Sequence, residues 1–515
     1  MGDAETILVA LLVAVAVLSA AARAIDVPYP IVLVIGGAIL GVSPVGLPEV
    51  ALDPDLVLII FLPPLLYSAA FFADLHDLRA DLRTISQLAI GLVVVTMVVV
   101  AVVAHELIGL DWPAAFALGA ILGPTDPLAA TAIARRLGVP RRVVSIIEGE
   151  SLINDATALV AYRIALGAGT FSLLDAGWEF LWKAAGGIAV GLAVGWVIIE
   201  VRKRLEDPPI ENTIGLLSGY AAYVPAEHLE LSAVLAAVTV GCYVGWQAPR
   251  IASPTTRLQG FAMWELLVFL MNAILFTLIG LQLPVVLESY HADWVGYAAA
   301  VCAAVVLTRL VWGQTIVFVI RAIDRRESQR ARRTTWRARA VVGWAGMRGA
   351  VSLAAALALP GAFEQRDLLI FITFAVILFT LVVQGLTLPP LIRRLGVLDD
   401  GSEEEREVLK ARLYATKAAL ARLEELAGED WTRDDTVERF RRAFEYRKQR
   451  FAARAGKVED DGFEDRSLAY QTLTRELLEA QREAIVRLRN EGTISNDVMH
   501  RIERELDLED ERLEI

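Results

Sequence analysis

From about Ile7 to about Leu395 one apolar run follows another, each roughly 18–25 residues long, enough to carry an α-helix across the ~30 Å hydrocarbon core of a bilayer. In lipid every backbone N–H and C=O must find a partner within the protein, so such a chain is expected to be an all-α bundle of spanning helices. Composition agrees, because 56% of the 515 residues are hydrophobic, more than a soluble domain covers with polar surface. Beyond about Asp399 the character reverses, and Glu, Asp and Arg dominate to the end. The chain therefore divides into a membrane domain over 1–396 and a charged tail over 397–515. Leucines at three-to-four spacing in the tail (Leu409, Leu413, Leu420; Leu473, Leu477, Leu488) predict helices there. The tail is either a soluble appendage for dimer contact or a regulatory sensor, and its charges do not choose between the two.

About thirteen runs can be counted, beginning near residues 6, 28, 55, 85, 112, 140, 177, 210, 231, 258, 294, 337 and 367. Basic residues gather in alternate loops: Arg79 and Arg83; Arg135, Arg136, Arg141 and Arg142; Arg202, Lys203 and Arg204; and the cluster from Arg321 through Arg325, Arg326, Arg330, Arg332 and Arg333 to Arg339. The intervening loops are acidic, with Glu49 and Asp53, Glu106 and Asp111, Glu227 and Glu230, and Glu288 and Asp293. This asymmetry predicts an N-terminus outside the cell membrane and a tail in the cytoplasm. The leading Met-Gly-Asp-Ala-Glu is acidic where a secretory signal is basic, so the first run is read as a retained span. Cys242 and Cys302 both lie in apolar runs and are read as small packing residues.

An ionisable residue inside a membrane is costly, which makes each one a functional candidate. Three runs carry them. The fifth is interrupted by Gly123-Pro124-Thr125-Asp126-Pro127. Proline removes a backbone donor and clashes with the preceding turn, so the helix is expected to break there, either as a plain kink with Asp126 satisfying loose donors or as a mid-membrane ion site. In the sixth, Ser151 and Asp155 stand four apart on one helix face, and Glu150 and Asn154 on the neighbouring face. Asp155 with the Ser151 hydroxyl offers hard oxygen ligands to a monovalent cation, and Asn154 is expected to donate to Glu150. Glu148, nearer the cytoplasmic end, reads as a cavity-mouth residue. In the twelfth, Gly343, Gly346 and Gly349 loosen the backbone around Arg348, a buried guanidinium whose expected anion is Glu150. Arg309 also lies within an apolar run, and nothing in the sequence names its partner.

With these segments in hand, the chain resembles the monovalent cation/proton antiporters, the sodium/proton exchangers, on their electroneutral branch. The matching motifs are Gly-Pro-Thr-Asp-Pro at 123–127, Gly-Glu-Ser-Leu-Ile-Asn-Asp at 149–155 and Gly-Met-Arg-Gly at 346–349. Phe-Leu-Pro-Pro-Leu-Leu-Tyr at 61–67 and Leu-Ile-Gly-Leu-Gln at 278–282 are similar too. The resemblance covers roughly residues 1–395 and not the tail. It implies a homodimer whose protomers are built from inverted repeats with two broken helices crossing at mid-membrane. It implies that Asp155 is the carboxylate shared by cation and proton, with Ser151 and the Thr125 backbone as Na+ ligands and Asp126 acting nearby. Glu150, Asn154 and Arg348 would form a supporting polar cluster. In one departure, Ser68 stands where many members carry an acidic residue, which leaves cation preference open.

The expected partners are Na+ (or Li+ or K+), H+ and the lipid bilayer, with no cofactor and no nucleic acid. A potassium/proton antiporter is the alternative within the class. A cation channel with a cytosolic gating tail is the alternative outside it, but a channel needs a continuous polar pore and these charges cluster at one depth. No Gly-x-x-x-x-Gly-Lys loop and no His-Glu-x-x-His is present, so neither ATP-driven pumping nor zinc enzymology is expected.

Overall fold

Valine and isoleucine disfavour helices in water, yet Val93–Val103 (VVVTMVVVAVV) is helical. The cause is the solvent, since in lipid a helix satisfies its own backbone. A computed structural model describes residues 3–42, 54–167, 173–323, 334–363, 365–399, 401–455 and 462–511. Glu49, Asp53 and the arginines Arg325, Arg326, Arg330, Arg332 and Arg333 of the charge pattern lie outside the described residues. Among the described residues the regular structure is helical, with no strand.

The first compact unit, Met1–Asp399, contains α1 (Asp3–Ala24), α2 (Tyr29–Val42), α3 (Pro54–Phe71), the short α4 (Leu75–Ala80) and α5 (Leu82–Ile108). Then come α6 (Trp112–Ile121), α7 (Leu128–Arg136), α8 (Arg141–Gly167), α9 (Leu173–Arg202), α10 (Pro208–His228), α11 (Ala233–Ile251) and α12 (Pro254–Leu281). It closes with α13 (Leu283–Glu288), α14 (Asp293–Ile323), α15 (Trp336–Trp344), α16 (Ala350–Leu357) and α17 (Arg366–Leu395). The segments Leu82–Ile108, Gly177–Arg202, Pro254–Glu288, Asp293–Phe318 and Arg366–Leu395 are long and apolar enough to cross a bilayer. Two further passages are interrupted, between α6 and α7 and between α15 and α16.

Both interruptions follow from local chemistry. At 122–127 two prolines flank Thr125 and Asp126, and at 345–349 two glycines flank Met347 and Arg348. The two breaks touch, because the Asp126 N–H donates to the Met347 carbonyl at 2.8 Å. Gly349 permits that approach; a Cβ there would come 2.7 Å from the Asp126 Cβ.

Two apolar cores flank the crossing. One joins α5, α6, α8, α14 and α17 through residues such as Leu92, Leu118, Ile147, Val305 and Ile372. The other joins α3, α8, α10 and α11 through Leu66, Tyr67, Ala156, Tyr223 and Val240. With no water to expel between helices in lipid, such contacts rest on close packing of small residues. Gly280 of α12 illustrates it, since a Cβ there would lie 2.6 Å from the backbone N of Ala38 in α2.

The second unit, Asp400–Ile515, consists of α18 (Ser402–Leu426), α19 (Asp434–Arg454), α20 (Phe463–Asn490) and α21 (Asn496–Glu511). Leu409, Leu413 and Phe451 form a small apolar cluster in it. Arg441 joins α19 to Glu424 of α18 at 2.8 and 2.9 Å.

Candidate ion-binding site

The helix breaks expose backbone ends within an apolar bundle, and charged side chains occupy those ends. The Asp126 carboxylate accepts the first N–H of α7, from Leu128, at 2.9 Å and lies against Gly349, the residue that caps α16. A carboxylate is thus held at the N-terminal, electropositive ends of two half-helices. Arg348 does the converse. Its Nε donates to the Leu122 carbonyl, where α6 ends, at 3.2 Å, and its Nη1 donates to the Gly346 carbonyl just beyond α15. Its own backbone N–H donates to Thr380 Oγ1 at 3.0 Å, within a π-helical turn of α17.

This corrects the expected pairing of Arg348 with Glu150. The Glu150 carboxylate is answered by Arg309 of α14, whose Nη2 donates to Oε2 at 2.8 Å and whose Nη1 donates to Oε1. The pair is deeply buried, with side chains 3% and 1% exposed. Arg348 is satisfied by carbonyls because a half-helix C-terminus carries partial negative charge. The second correction concerns Asn154. Its Nδ2 donates to Thr125 Oγ1 at 2.8 Å, and the Thr125 hydroxyl in turn donates to Glu150 Oε1 at 3.2 Å. Asn154 reaches Glu150 through a relay, and that relay ties α8 to the first break.

A cavity of about 590 Å³ opens beside these groups, walled by α3, α7, α8, α12 and α16. Thr125, Asp126, Ser151 and Asp155 all line it. Glu148 lines it as well, and pairs with Arg135 of α7 at 2.5 Å. Ser68 also faces it, its hydroxyl donating to the Leu65 carbonyl at 2.9 Å within its own helix. Asp155 stands apart from the other carboxylates. It is 7% exposed, yet among the described residues it accepts no hydrogen bond and has no ion-pair partner. An ionised carboxylate buried without a partner is strongly disfavoured, so this position calls for a bound cation or a proton. Ser151, one turn earlier, turns a hydroxyl into the same space. Four residues lining one cavity therefore offer hard oxygens, the ligand type that suits an alkali cation.

The sequence did not single out two other polar residues of the cavity wall. Asn272 of α12 and Ser352 of α16 are buried, line the cavity and have no hydrogen-bond partner for their side-chain polar atoms among the described residues. The available signal was a lone amide or hydroxyl within an otherwise apolar run.

The family model described as "sodium/hydrogen exchanger, transmembrane" matches residues 7–394. An uncharacterised sodium/proton exchanger of Mycobacterium tuberculosis is 34% identical over 526 residues, spanning 98% of this chain and 96% of that one. The low-affinity sodium/proton antiporter of Synechocystis is 36% identical over 406 residues, 77% of this chain and 75% of its own length. In fold, the chain is similar to the sodium/proton antiporter of Methanocaldococcus jannaschii, with a TM-score of 0.62 at 20% identity over 76% of this chain and 97% of that one. With its broken helices, its buried carboxylates and a match running through nearly the whole of the membrane unit, the chain belongs to the transmembrane sodium/hydrogen exchanger family.

Proposed function

We propose that this multi-pass membrane protein exchanges sodium, or lithium, for protons one for one, by competition at Asp155. Family membership supports cation/proton antiport as the general activity. The finer reading is carried by the unpartnered, buried Asp155 on the cavity wall. A cation there takes oxygens from Asp155, from the Ser151 hydroxyl and from the Thr125 backbone at the break. A proton on Asp155 removes the charge that attracts the cation, so the two compete for one carboxylate. With neither bound, a bare charge in a low-dielectric site resists the passage between inward and outward states, which prevents leak. Asp126 shapes the field near the site while held at two helix N-termini, and the Glu150–Asn154–Thr125 relay fixes the break against α8.

The same reading takes the protein as a homodimer of inverted repeats, each protomer with about thirteen spans. It places the N-terminus outside and the tail, 397–515, in the cytoplasm, following the arginine-rich loops. The closed relay and the Arg309–Glu150 pair leave Asp155 as the carboxylate free to change partners.

The direct test is Asp155→Asn, purified and reconstituted with a pH-sensitive dye inside the vesicles. The variant is expected to fold and to show no sodium- or lithium-driven proton flux. Retained flux would sink the assignment. Competition also fixes the pH behaviour: on the acid side, the apparent KM for sodium of the wild-type protein should rise about tenfold per pH unit.

A further inference from the structure

Asn272 lies on α12, a helix separate from the two broken passages and from α8. It is 1% exposed, it lines the cavity that holds Asp155 and Ser151, and among the described residues neither its Oδ1 nor its Nδ2 has a hydrogen-bond partner. A buried amide with both ends unmet is costly, whereas an apolar side chain of similar shape in that place would carry no such cost. The side chain borders a space whose lining also includes the oxygen-bearing Ser68, Thr125, Ser151 and Asp155. Ser352 Oγ of α16, also buried and unpartnered, lines the same space.

The platform under Asn272 is rigid. α12 lies directly on α2, where a Cβ on Gly37 would come 3.2 Å from the Gly280 Cα and one on Gly280 would come 2.9 Å from the Gly37 carbonyl carbon. Glycines at that contact leave no slack, so the amide is presented from a fixed backbone. Ser68, on the α3 wall, spends its hydroxyl proton on its own helix.

We propose that Asn272 is a further ligand of the transported alkali cation, its Oδ1 completing from the α12 wall the oxygen shell that Asp155 and Ser151 begin. This inference rests on the reading of Asp155 given above. The amide is neutral, so it leaves the charge balance of the cycle untouched. It sets affinity and the ranking of lithium, sodium and potassium, because an amide oxygen held on a stiff helix fixes one radius of the shell.

The test uses the full-length protein in proteoliposomes, and the detergent-purified protein titrated with sodium chloride against choline chloride. Asn272→Ala should raise the apparent KM for sodium by about tenfold while kcat stays within about twofold. It should also change the lithium-to-sodium KM ratio and lose most of the sodium-dependent rise in melting temperature. Asn272→Asp, which keeps an oxygen at the same reach, should retain a wild-type or lower KM. Asn272→Leu should melt, without cation, no lower than wild type, and it reads the same KM should the alanine variant fail to fold. Wild-type sodium KM and an unchanged sodium-dependent melting shift in Asn272→Ala or Asn272→Leu would overturn the proposal. Asp155→Asn run alongside separates the two readings: exchange retained there removes the Asp155 mechanism, whereas loss there with wild-type behaviour at position 272 removes Asn272 alone.

Discussion

Arg309 and Arg348 are both guanidiniums buried in an apolar bundle, and the surrounding residues satisfy them differently. Arg309 lies against a carboxylate that shares its burial, while Arg348 lies among carbonyls at the ends of α6 and α15. Removing one member of a buried ion pair leaves the other uncompensated, so Glu150→Gln and Arg309→Met should each cost roughly 3–5 kcal/mol of stability. The double variant should recover part of that loss in a thermal-unfolding cycle, because no lone charge remains. Glu150→Gln combined with Arg348→Met should recover less, because Glu150 bonds Arg309 and acts on Arg348 only by charge. Additive losses for Glu150 with Arg309, and a larger coupling for Glu150 with Arg348, would reverse the assignment. The sequence made Glu150, Asn154, Ser151 and Asp155 visible as candidates, because residues four apart on one helix can be paired by counting. It left Arg309 without a partner, because 159 residues separate it from Glu150 and no periodicity spans that gap. Asn154 is intermediate: its face was legible, but the Thr125 hydroxyl between it and Glu150 comes from another helix.

At the scale of elements, the positions of both breaks were legible in the chain. Proline at 124 and 127, and glycine at 346 and 349, are residues that interrupt a helix for stated backbone reasons. That the breaks touch was implied only by the family resemblance and not legible in the residues themselves, since it depends on the Asp126 N–H meeting the Met347 carbonyl. Gly349 is where this contact is most sensitive. A methyl group there would press within 2.8 Å of the Asp126 Cγ, far inside van der Waals contact. Gly349→Ala should therefore displace Asp126 from the N-terminus of α7, lower the exchange rate by at least about tenfold and leave the bundle assembled. Measured exchange within twofold of wild type would show that Asp126 can move without consequence. The short α4 is a second element the chain hid, because six residues between two long apolar runs read as loop. Asp74 and Asp77 from this region bond Arg141, Asp81 bonds Arg142, and Leu78 closes over Gly149. The residues just before the Ser151–Asp155 face are thereby clamped to the chain that leaves α3.

Across the whole molecule, the buried charges of the proposed exchange site lie in the first unit, and several charges of the second pair with each other. Hydrogen bonds from Arg441 hold Glu424 below its ordinary value of 4.5, and those from Arg442 and Arg441 do the same for Glu438. A carboxylate with a depressed folded value adds stability that is full above its unfolded value and is lost as pH falls through the lower, folded one. Glu424→Gln with Glu438→Gln should thus leave the pH profile of exchange unchanged between about pH 6 and 9. Truncation after Leu398 should likewise leave exchange in place, since Asp126, Glu150, Asp155, Arg309 and Arg348 all precede it; a folded truncate without transport would contradict this. The membrane unit makes the stricter demand. Glu150 is neutralised by Arg309, and position 154 is an amide, with no proton to shed in the physiological range. The one-for-one reading takes Asp126, whose carboxylate accepts the N–H of Leu128, as keeping one charge state through the cycle. On the proposed reading Asp155 is then the carboxylate that alternates, holding one proton or one monovalent cation. One charge would then cross in each direction per cycle, so no net charge would move and the membrane potential would have nothing to act on. Proteoliposomes clamped at different potassium–valinomycin potentials should show the same initial exchange rate and the same final sodium gradient at every voltage. A voltage-dependent rate or gradient would mean that a second proton is carried, and Asp126, the carboxylate at the break between α6 and α7, would be its carrier.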